Sequence, residues 1–74
     1  EFSIIETKIP KEWIGKSLIE LNPRKKFGFN VIAEKVNGVY KNNIDADKPF
    51  GDQESIIVIG DNEKLLKVFK ELNA

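Results

Sequence analysis

Residues 9–33 read IPKEWIGKSLIELNPRKKFGFNVIA, and they predict a strand end, a short helix, a basic turn and a second strand. Pro10 ends the first strand, because proline has no amide hydrogen to donate to a neighbouring strand. Ser17 and Glu20 fit a capping box, in which each side chain binds the backbone of the other at the helix start. The residue before Pro23 is pushed away from helical angles, so the helix is expected to end there.

The first strand is predicted over residues 2–9, where β-branched residues dominate and apolar side chains fall on both alternating faces. One face can meet the core. The other is either covered within one molecule or needs a second subunit, and the sequence leaves both readings open. A chain of this size buries only about 60% of its unfolded surface, so a partner subunit would stabilise it.

The rest of the chain adds three strands and a helix. Residues 29–36 alternate, so Phe29, Val31 and Ala33 are expected to share one face. The Asn37-Gly38 pair predicts a hairpin, since both residues tolerate positive φ.

After a polar loop over residues 41–52 comes an apolar strand at 55–59, followed by a turn at Gly60. Asp61 or Asn62 then caps the final helix. The order is β-α-β-β-β-α, which predicts the α+β class with an antiparallel or mixed sheet and two helices.

Composition excludes several classes of function. The 74 residues include 12 Lys plus Arg and 12 Asp plus Glu, so the formal net charge is zero, unlike that of most nucleic-acid binders. The absence of cysteine and histidine excludes disulfides, thiolate zinc sites and catalysis by Ser–His or Cys–His pairs within this chain. No apolar run approaches the roughly 20 residues that span a bilayer. We therefore expect an excised cytoplasmic domain that is neither an enzyme nor inserted in a membrane.

Two other motifs are weak. The Ile59-Gly60-Asp61-Asn62 segment follows a strand and precedes a helix, but it lacks the three glycines of a dinucleotide-binding turn. The acidic loop that begins at Asp45 has proline at its fifth position and phenylalanine at its sixth, where a calcium loop needs glycine. We therefore expect no metal site.

The basic turn Arg24-Lys25-Lys26 is the sharper feature. Arginine can hold a phosphate through two parallel hydrogen bonds, and Asn30 follows closely enough to offer amide donors and an acceptor to a sugar or base. The same residues also fit a solvated turn that neutralises the C-terminal end of the helix. The residues alone leave both interpretations open.

From Phe2 to about Leu72 the chain resembles the RCK C-terminal domain, also called TrkA-C. This domain is the regulatory half of cytoplasmic gating subunits in bacterial potassium channels and uptake systems. The motifs that match keep the family's order and spacing. They are Ile9-Pro10, Trp13-Ile14-Gly15-Lys16-Ser17-Leu18, Glu20-Leu21, Arg24, Phe27-Gly28, Val31-Ile32-Ala33 and Val58-Ile59-Gly60. We therefore expect one such domain over residues 1–74.

The resemblance implies a domain that dimerises and joins a gating ring on a membrane potassium transporter. In the Ktr-type branch of the family, this domain binds the second messenger cyclic di-AMP between two subunits, which turns potassium uptake down. The resemblance places the ligand contacts at Leu18, Pro23, Arg24, Asn30, Val31, Ile32 and Pro49. At Ile32 a relative carries histidine, so one polar contact is expected to be missing here.

Three functional hypotheses follow. The first is a cytoplasmic regulatory domain, held at the inner face of the membrane through a transporter partner, that senses cyclic di-AMP or another small nucleotide in a homodimer. The second is a dimerisation module of a cation transporter with no ligand of its own. The third is nucleic-acid binding through the basic turn, against which the zero net charge argues.

Overall fold

A computed structural model describes residues 1–52 and 54–72. Its four strands are β1 (Phe2–Lys8), β2 (Phe29–Val36), β3 (Val39–Lys41) and β4 (Ser55–Asp61). A 3₁₀ turn spans Lys11–Trp13, and the α-helices are α1 (Leu18–Leu21), α2 (Pro23–Lys26) and α3 (Asn62–Leu72). Positions 53, 73 and 74 of the domain predicted over residues 1–74 lie outside this description. No helix in the described part of the chain is long and apolar enough to cross a membrane.

The strands form one antiparallel sheet in the order β1-β4-β2-β3. The predicted α+β class is confirmed, and of the two sheet types expected the antiparallel one is present. β1 ends one residue before its predicted end, because its partner β4 begins at Ser55, which pairs with Lys8. Asn37 and Gly38 have φ angles of 51° and 79° and form the predicted hairpin turn between β2 and β3.

A bulge in β2 corrects the predicted alternation of its side chains. Val31 and Ala33 pair with consecutive residues of β4, so the intervening Ile32 is an extra residue. An extra residue breaks the two-residue period of a strand. Ala33 therefore lies on the opposite face from Phe29 and Val31, contrary to the prediction. Glu34 moves to the core face, where only 5% of it is exposed.

Trp13 lies at the centre of the core, with 1% of its surface exposed. Its ring centroid is about 6 Å from those of four phenylalanines that come from three different parts of the chain: Phe27 (6.0 Å), Phe29 (6.0 Å), Phe50 (6.3 Å) and Phe69 (6.2 Å). Phe50 reaches this cluster from the loop that the sequence marked as polar. The loop is fixed there by two backbone hydrogen bonds, from Gly15 N–H to Phe50 O (2.9 Å) and from Phe50 N–H to Lys16 O (3.0 Å).

Gly60 belongs to β4 and not to a turn, which is a second correction. The strand continues because residues 2 and 3 of β1 pair with its last two residues. A Cβ atom at Gly60 would lie 2.6 Å from Phe29 Cβ, so a glycine is needed for β2 and β4 to approach each other here. The predicted cap of α3 is Asp61, whose Oδ1 accepts hydrogen bonds from the backbone N–H groups of Glu63 (3.1 Å) and Lys64 (3.2 Å).

The helices cover one face of the sheet and leave the other uncovered in the described chain. On this open face of the sheet, β1 presents Phe2 and Ile4, which are 82% and 62% exposed. They pair with residues of β4 whose side chains lie on the same face, and one of these is the half-buried Ile59. The face is therefore apolar at the end of the sheet that carries the start of β1.

A polar network centred on Glu6 lies at the other end of the open face. The Tyr40 hydroxyl donates to Glu6 Oε1 (2.7 Å), and the Ser55 hydroxyl donates to Glu6 Oε2 (3.2 Å). Lys35 Nζ lies 4.0 Å from Glu6 Oε2 and 5.0 Å from the centroid of the Tyr40 ring. The hydrogen bond from Tyr40 is the largest cause that lowers the pKa of Glu6 below its ordinary value of 4.5. Desolvation opposes the shift, and Ser55 and Lys35 add to it.

We expect the substitution Tyr40→Phe to raise the pKa of Glu6 toward 4.5, because it removes the largest stabilising contact of the carboxylate. A lowered folded-state pKa means that the network stabilises the fold above the unfolded pKa and loses this effect as the pH falls through the folded pKa. A pH titration of the Glu6 carboxyl carbon by NMR measures the midpoint. Ser55→Ala should move it less, and an unchanged midpoint in Tyr40→Phe would contradict the assignment.

Candidate ligand site beside Arg24

A cavity of about 200 Å³ lies where α1, α2 and the start of β2 meet. We call it the Arg24 cavity. Its lining combines apolar side chains with a guanidinium and two amides: Leu18, Asn22, Pro23, Arg24, Phe29, Asn30 and Val31. Phe29 and Pro23 are buried and form its rigid part, whereas Arg24 and Asn30 are exposed at its edge.

Local sequence explains why α1 and α2 meet at this cavity. The capping box is present as predicted: Ser17 Oγ accepts from Glu20 N–H (3.3 Å), and Ser17 N–H donates to Glu20 Oε1 (3.3 Å). α1 ends at Leu21, and Asn22 adopts the left-handed conformation (φ 44°, ψ 58°), which turns the chain sharply. Pro23 then starts α2, where its missing N–H costs nothing.

The polar groups of the Arg24 cavity are available to a ligand. Within the described residues the one ion pair is that of Lys35 with Glu6, so Arg24 has no carboxylate within 4.0 Å. No hydrogen bond to another described side chain engages the Asn30 amide or the Arg24 guanidinium. A guanidinium that is not already paired can form two parallel charge-assisted hydrogen bonds to a phosphate. The cavity can therefore hold one phosphate beside an apolar wall.

Five of the seven predicted contact residues line this one cavity: Leu18, Pro23, Arg24, Asn30 and Val31. Ile32 lies just outside it as the bulged residue of β2, 41% exposed, and Pro49 is exposed in the loop before Phe50. Neither lines the cavity of a single chain, and the ligand contacts of all seven residues remain predictions. The sequence reasoning missed Asn22, whose position before a proline marks the chain reversal between α1 and α2.

The basic turn is divided by its conformation. The segment is one turn of helix, α2, rather than a loop. Arg24 faces the cavity described above, whereas Lys25 and Lys26 line a separate cavity against α3. The three cations therefore do not act on one anion.

Asn30 connects the Arg24 cavity with the open face of the sheet. It also lines a smaller space of about 190 Å³ together with Phe2, Gly28, Ile59 and Gly60. Neither space reaches the roughly 300 Å³ at which small-molecule sites begin. A dinucleotide would need the surface of a second molecule to complete its site.

Comparison with known proteins gives no matching family model and no matching curated protein. Solved structures do match. The RCK C domain of the potassium transport protein KtrA, in complex with c-di-AMP, has a TM-score of 0.86 at 28% identity, covering 96% of this chain and 84% of that one. The RCK_C domain dimer of S. agalactiae BusR, also with c-di-AMP, has a TM-score of 0.78 at 20% identity, covering 97% and 91%.

A channel matches in its fold as well. The GsuK channel bound to NAD has a TM-score of 0.79 at 18% identity, and the match covers 96% of this chain but 13% of that one. BusR has also been solved with its busAB-promotor DNA, and there the match covers 36% of the BusR chain. These three proteins share one fold with this chain, and the resemblance predicted from its motifs is confirmed.

Proposed function

We propose that this chain, which has the fold of RCK C-terminal domains, is a cytoplasmic regulatory domain of a potassium transport system that binds c-di-AMP between two copies of itself. The proposed domain spans residues 1–74 and acts at the inner face of the membrane through a transporter partner. The observation that carries the proposal is the Arg24 cavity, in which a guanidinium with no carboxylate partner among the described residues lies beside an apolar wall.

The chemistry of the cavity matches the ligand held by two similar structures. c-di-AMP carries two phosphates and two adenines, related by a two-fold axis. Arg24 can bind a phosphate through two hydrogen bonds, and Leu18 and Val31 offer an adenine an apolar surface. The KtrA RCK C domain that holds c-di-AMP is 28% identical to this chain, and the match covers 96% of this chain.

The need for two copies follows from size and symmetry. A cavity of about 200 Å³ cannot enclose a dinucleotide, but two copies about a two-fold axis would present two equal half-sites. The open face of the sheet adds a reason to pair, since Phe2 and Ile4 leave apolar surface uncovered beside Asn30. We therefore propose a homodimer with one ligand at its centre.

Such an arrangement can regulate a transporter within a ring of gating subunits. A ligand that contacts both copies favours the ring geometry in which both half-sites face each other. The free energy it transmits is limited to the difference between its affinities for the two geometries. The direction of the effect on potassium uptake follows from which geometry holds the transporter open.

Calorimetry of the chain with c-di-AMP tests the proposal. We expect saturable binding with one ligand per two chains, and sedimentation should show that the ligand strengthens the dimer. cAMP serves as a control, since one phosphate and one adenine can occupy only one half-site. Absence of heat at high micromolar c-di-AMP and modest salt would contradict the proposal.

The second candidate is a dimerisation module without a ligand. The exposed Phe2 and Ile4 favour it, because their burial would stabilise a dimer whether or not a nucleotide is bound. A dimer whose stability ignores every nucleotide would select this candidate. That the domain binds no nucleic acid stays a prediction, since the promotor contact belongs to the complex of the longer BusR chain. A filter-binding assay with salt dependence would check it.

A further inference from the structure

A second cavity, separate from the one beside Arg24, is lined by four lysines. Its volume is about 340 Å³, which lies within the range of small-molecule sites. Lys25 and Lys26 reach it from α2, and Lys64 and Lys67 reach it from α3. Phe27, Gly28 and Val68 complete its wall. We call it the lysine cavity.

The Lys64 side chain lies over the backbone at Gly28, in the segment that joins α2 to β2. A Cβ atom at Gly28 would lie 3.1 Å from Lys64 Cδ and 3.3 Å from its Nζ. Gly28 has a φ of 81°, which L side chains rarely adopt. The glycine therefore allows the ammonium group of Lys64 to lie against the segment that joins α2 to β2.

The four positive charges have no negative partners in the described part of the chain. The one ion pair there joins Lys35 and Glu6, at another place on the sheet, so none of the four has a described carboxylate within 4.0 Å. The nearby cap residue Asp61 accepts hydrogen bonds from the first turn of α3 and is not part of the lining. Like charges around one cavity repel each other, and an anion bound among them would relieve this repulsion.

The clustering of four lysines around this cavity is informative because the chain as a whole has zero net charge. The chain balances 12 cations with 12 anions, yet four of its cations surround one concave space whose described lining contains no carboxylate. The backbone N–H groups of Glu63 and Lys64 are already bound by Asp61, so the ammonium groups and not the end of the helix would hold an anion here. Four ammonium groups match a ligand with three or four negative charges.

We infer that the lysine cavity is a second ligand site, which binds a small soluble anion carrying several phosphate groups. This ligand differs in chemistry from the c-di-AMP proposed at Arg24. In c-di-AMP the two phosphates are separate members of one ring and are not joined to each other. The clustered phosphates lie among the four ammonium groups, and the apolar part of the ligand, where it has one, packs on Phe27 and Val68. This inference does not rest on the proposed function, because the two cavities have no lining residue in common.

The test is an NMR titration of the chain with inorganic triphosphate, with ATP, and with vesicles of phosphatidylglycerol in phosphatidylcholine. We expect triphosphate and ATP to shift the amide signals of Gly28, Lys64 and Lys67 at concentrations at which those of Asn30 and Val31 have not yet moved. The double variant Lys64→Gln with Lys67→Gln should bind triphosphate about tenfold more weakly, because it removes two exposed charge contacts.

The matched control is the double variant Lys41→Gln with Lys70→Gln, which also removes two exposed lysines, both outside the cavity. It should bind triphosphate as the unmodified chain does. Lys25→Gln with Lys26→Gln tests the other wall of the cavity independently. An equal loss in the control, an absence of shifts at Gly28 and Lys64, or binding to vesicles alone would each overturn the inference. If an Arg24 variant loses c-di-AMP binding but still binds triphosphate, the inference about the lysine cavity stands.

Discussion

Replacing Arg24 with glutamine is expected to weaken c-di-AMP binding by about a hundredfold or more. A hydrogen bond to a charged group contributes about 1.5–3 kcal/mol, and a two-fold site loses this contribution twice. The loss of roughly 3 kcal/mol or more corresponds to at least two orders of magnitude in Kd. Calorimetry with c-di-AMP measures the change directly. Arg24→Lys should recover part of the affinity, because lysine keeps the charge but not the paired donors.

The matched control for this loss is Lys41→Gln. Lys41 is exposed on β3 and lines none of the described cavities, so its removal changes the net charge by the same amount without touching the site. Equal weakening in both variants would mean that general charge, and not the guanidinium of Arg24, attracts the ligand. Unchanged binding in Arg24→Gln would remove the role proposed for this residue and, with it, the arrangement of the half-site.

Replacing Trp13 with alanine is expected to lower the free energy of unfolding by about 3–5 kcal/mol, the usual cost of deleting a buried tryptophan ring. The ring touches four phenylalanines, so its removal leaves a hole that no single neighbour can fill. A domain of 74 residues has a total stability of roughly 4–11 kcal/mol, so the loss is a large share of it. Urea unfolding followed by circular dichroism measures the change.

Leu66→Ala provides the control for Trp13. Leu66 is 63% exposed on α3, and its truncation should change the stability by no more than about 0.5 kcal/mol. Trp13→Phe should be less harmful than Trp13→Ala, because it keeps an aromatic ring among the others. A cost below about 1 kcal/mol for Trp13→Ala would contradict the central position assigned to this side chain.

The lining of the Arg24 cavity could be predicted in part from the sequence. Arg24 and Asn30 were found because they lie six positions apart in a segment with strong local signals, and the structure brings both to one cavity. The sequence did not reveal that the basic turn is divided between two cavities, because this depends on the conformation of α2. The helical turn α2 sends Arg24 to one cavity and its two lysine neighbours to another, although the three residues are consecutive.

The features that could be read from the chain are those fixed by neighbours within a few residues. The capping box of Ser17, the hairpin at Asn37-Gly38 and the cap at Asp61 each depend on hydrogen bonds between residues at most three positions apart or on the φ angles that two adjacent residues permit. Such interactions form in the same way wherever the segment lies, so residue type alone reveals them.

Other features arise only when distant segments pack together. Ile32 bulges out of register with β4, Gly60 continues β4 because Ser3 of β1 pairs with it, and Phe50 leaves a polar loop to join the core. Each depends on a residue far away in the chain, whose position no local pattern records. The free energy of these arrangements comes from packing between segments, and packing is set by the assembled structure.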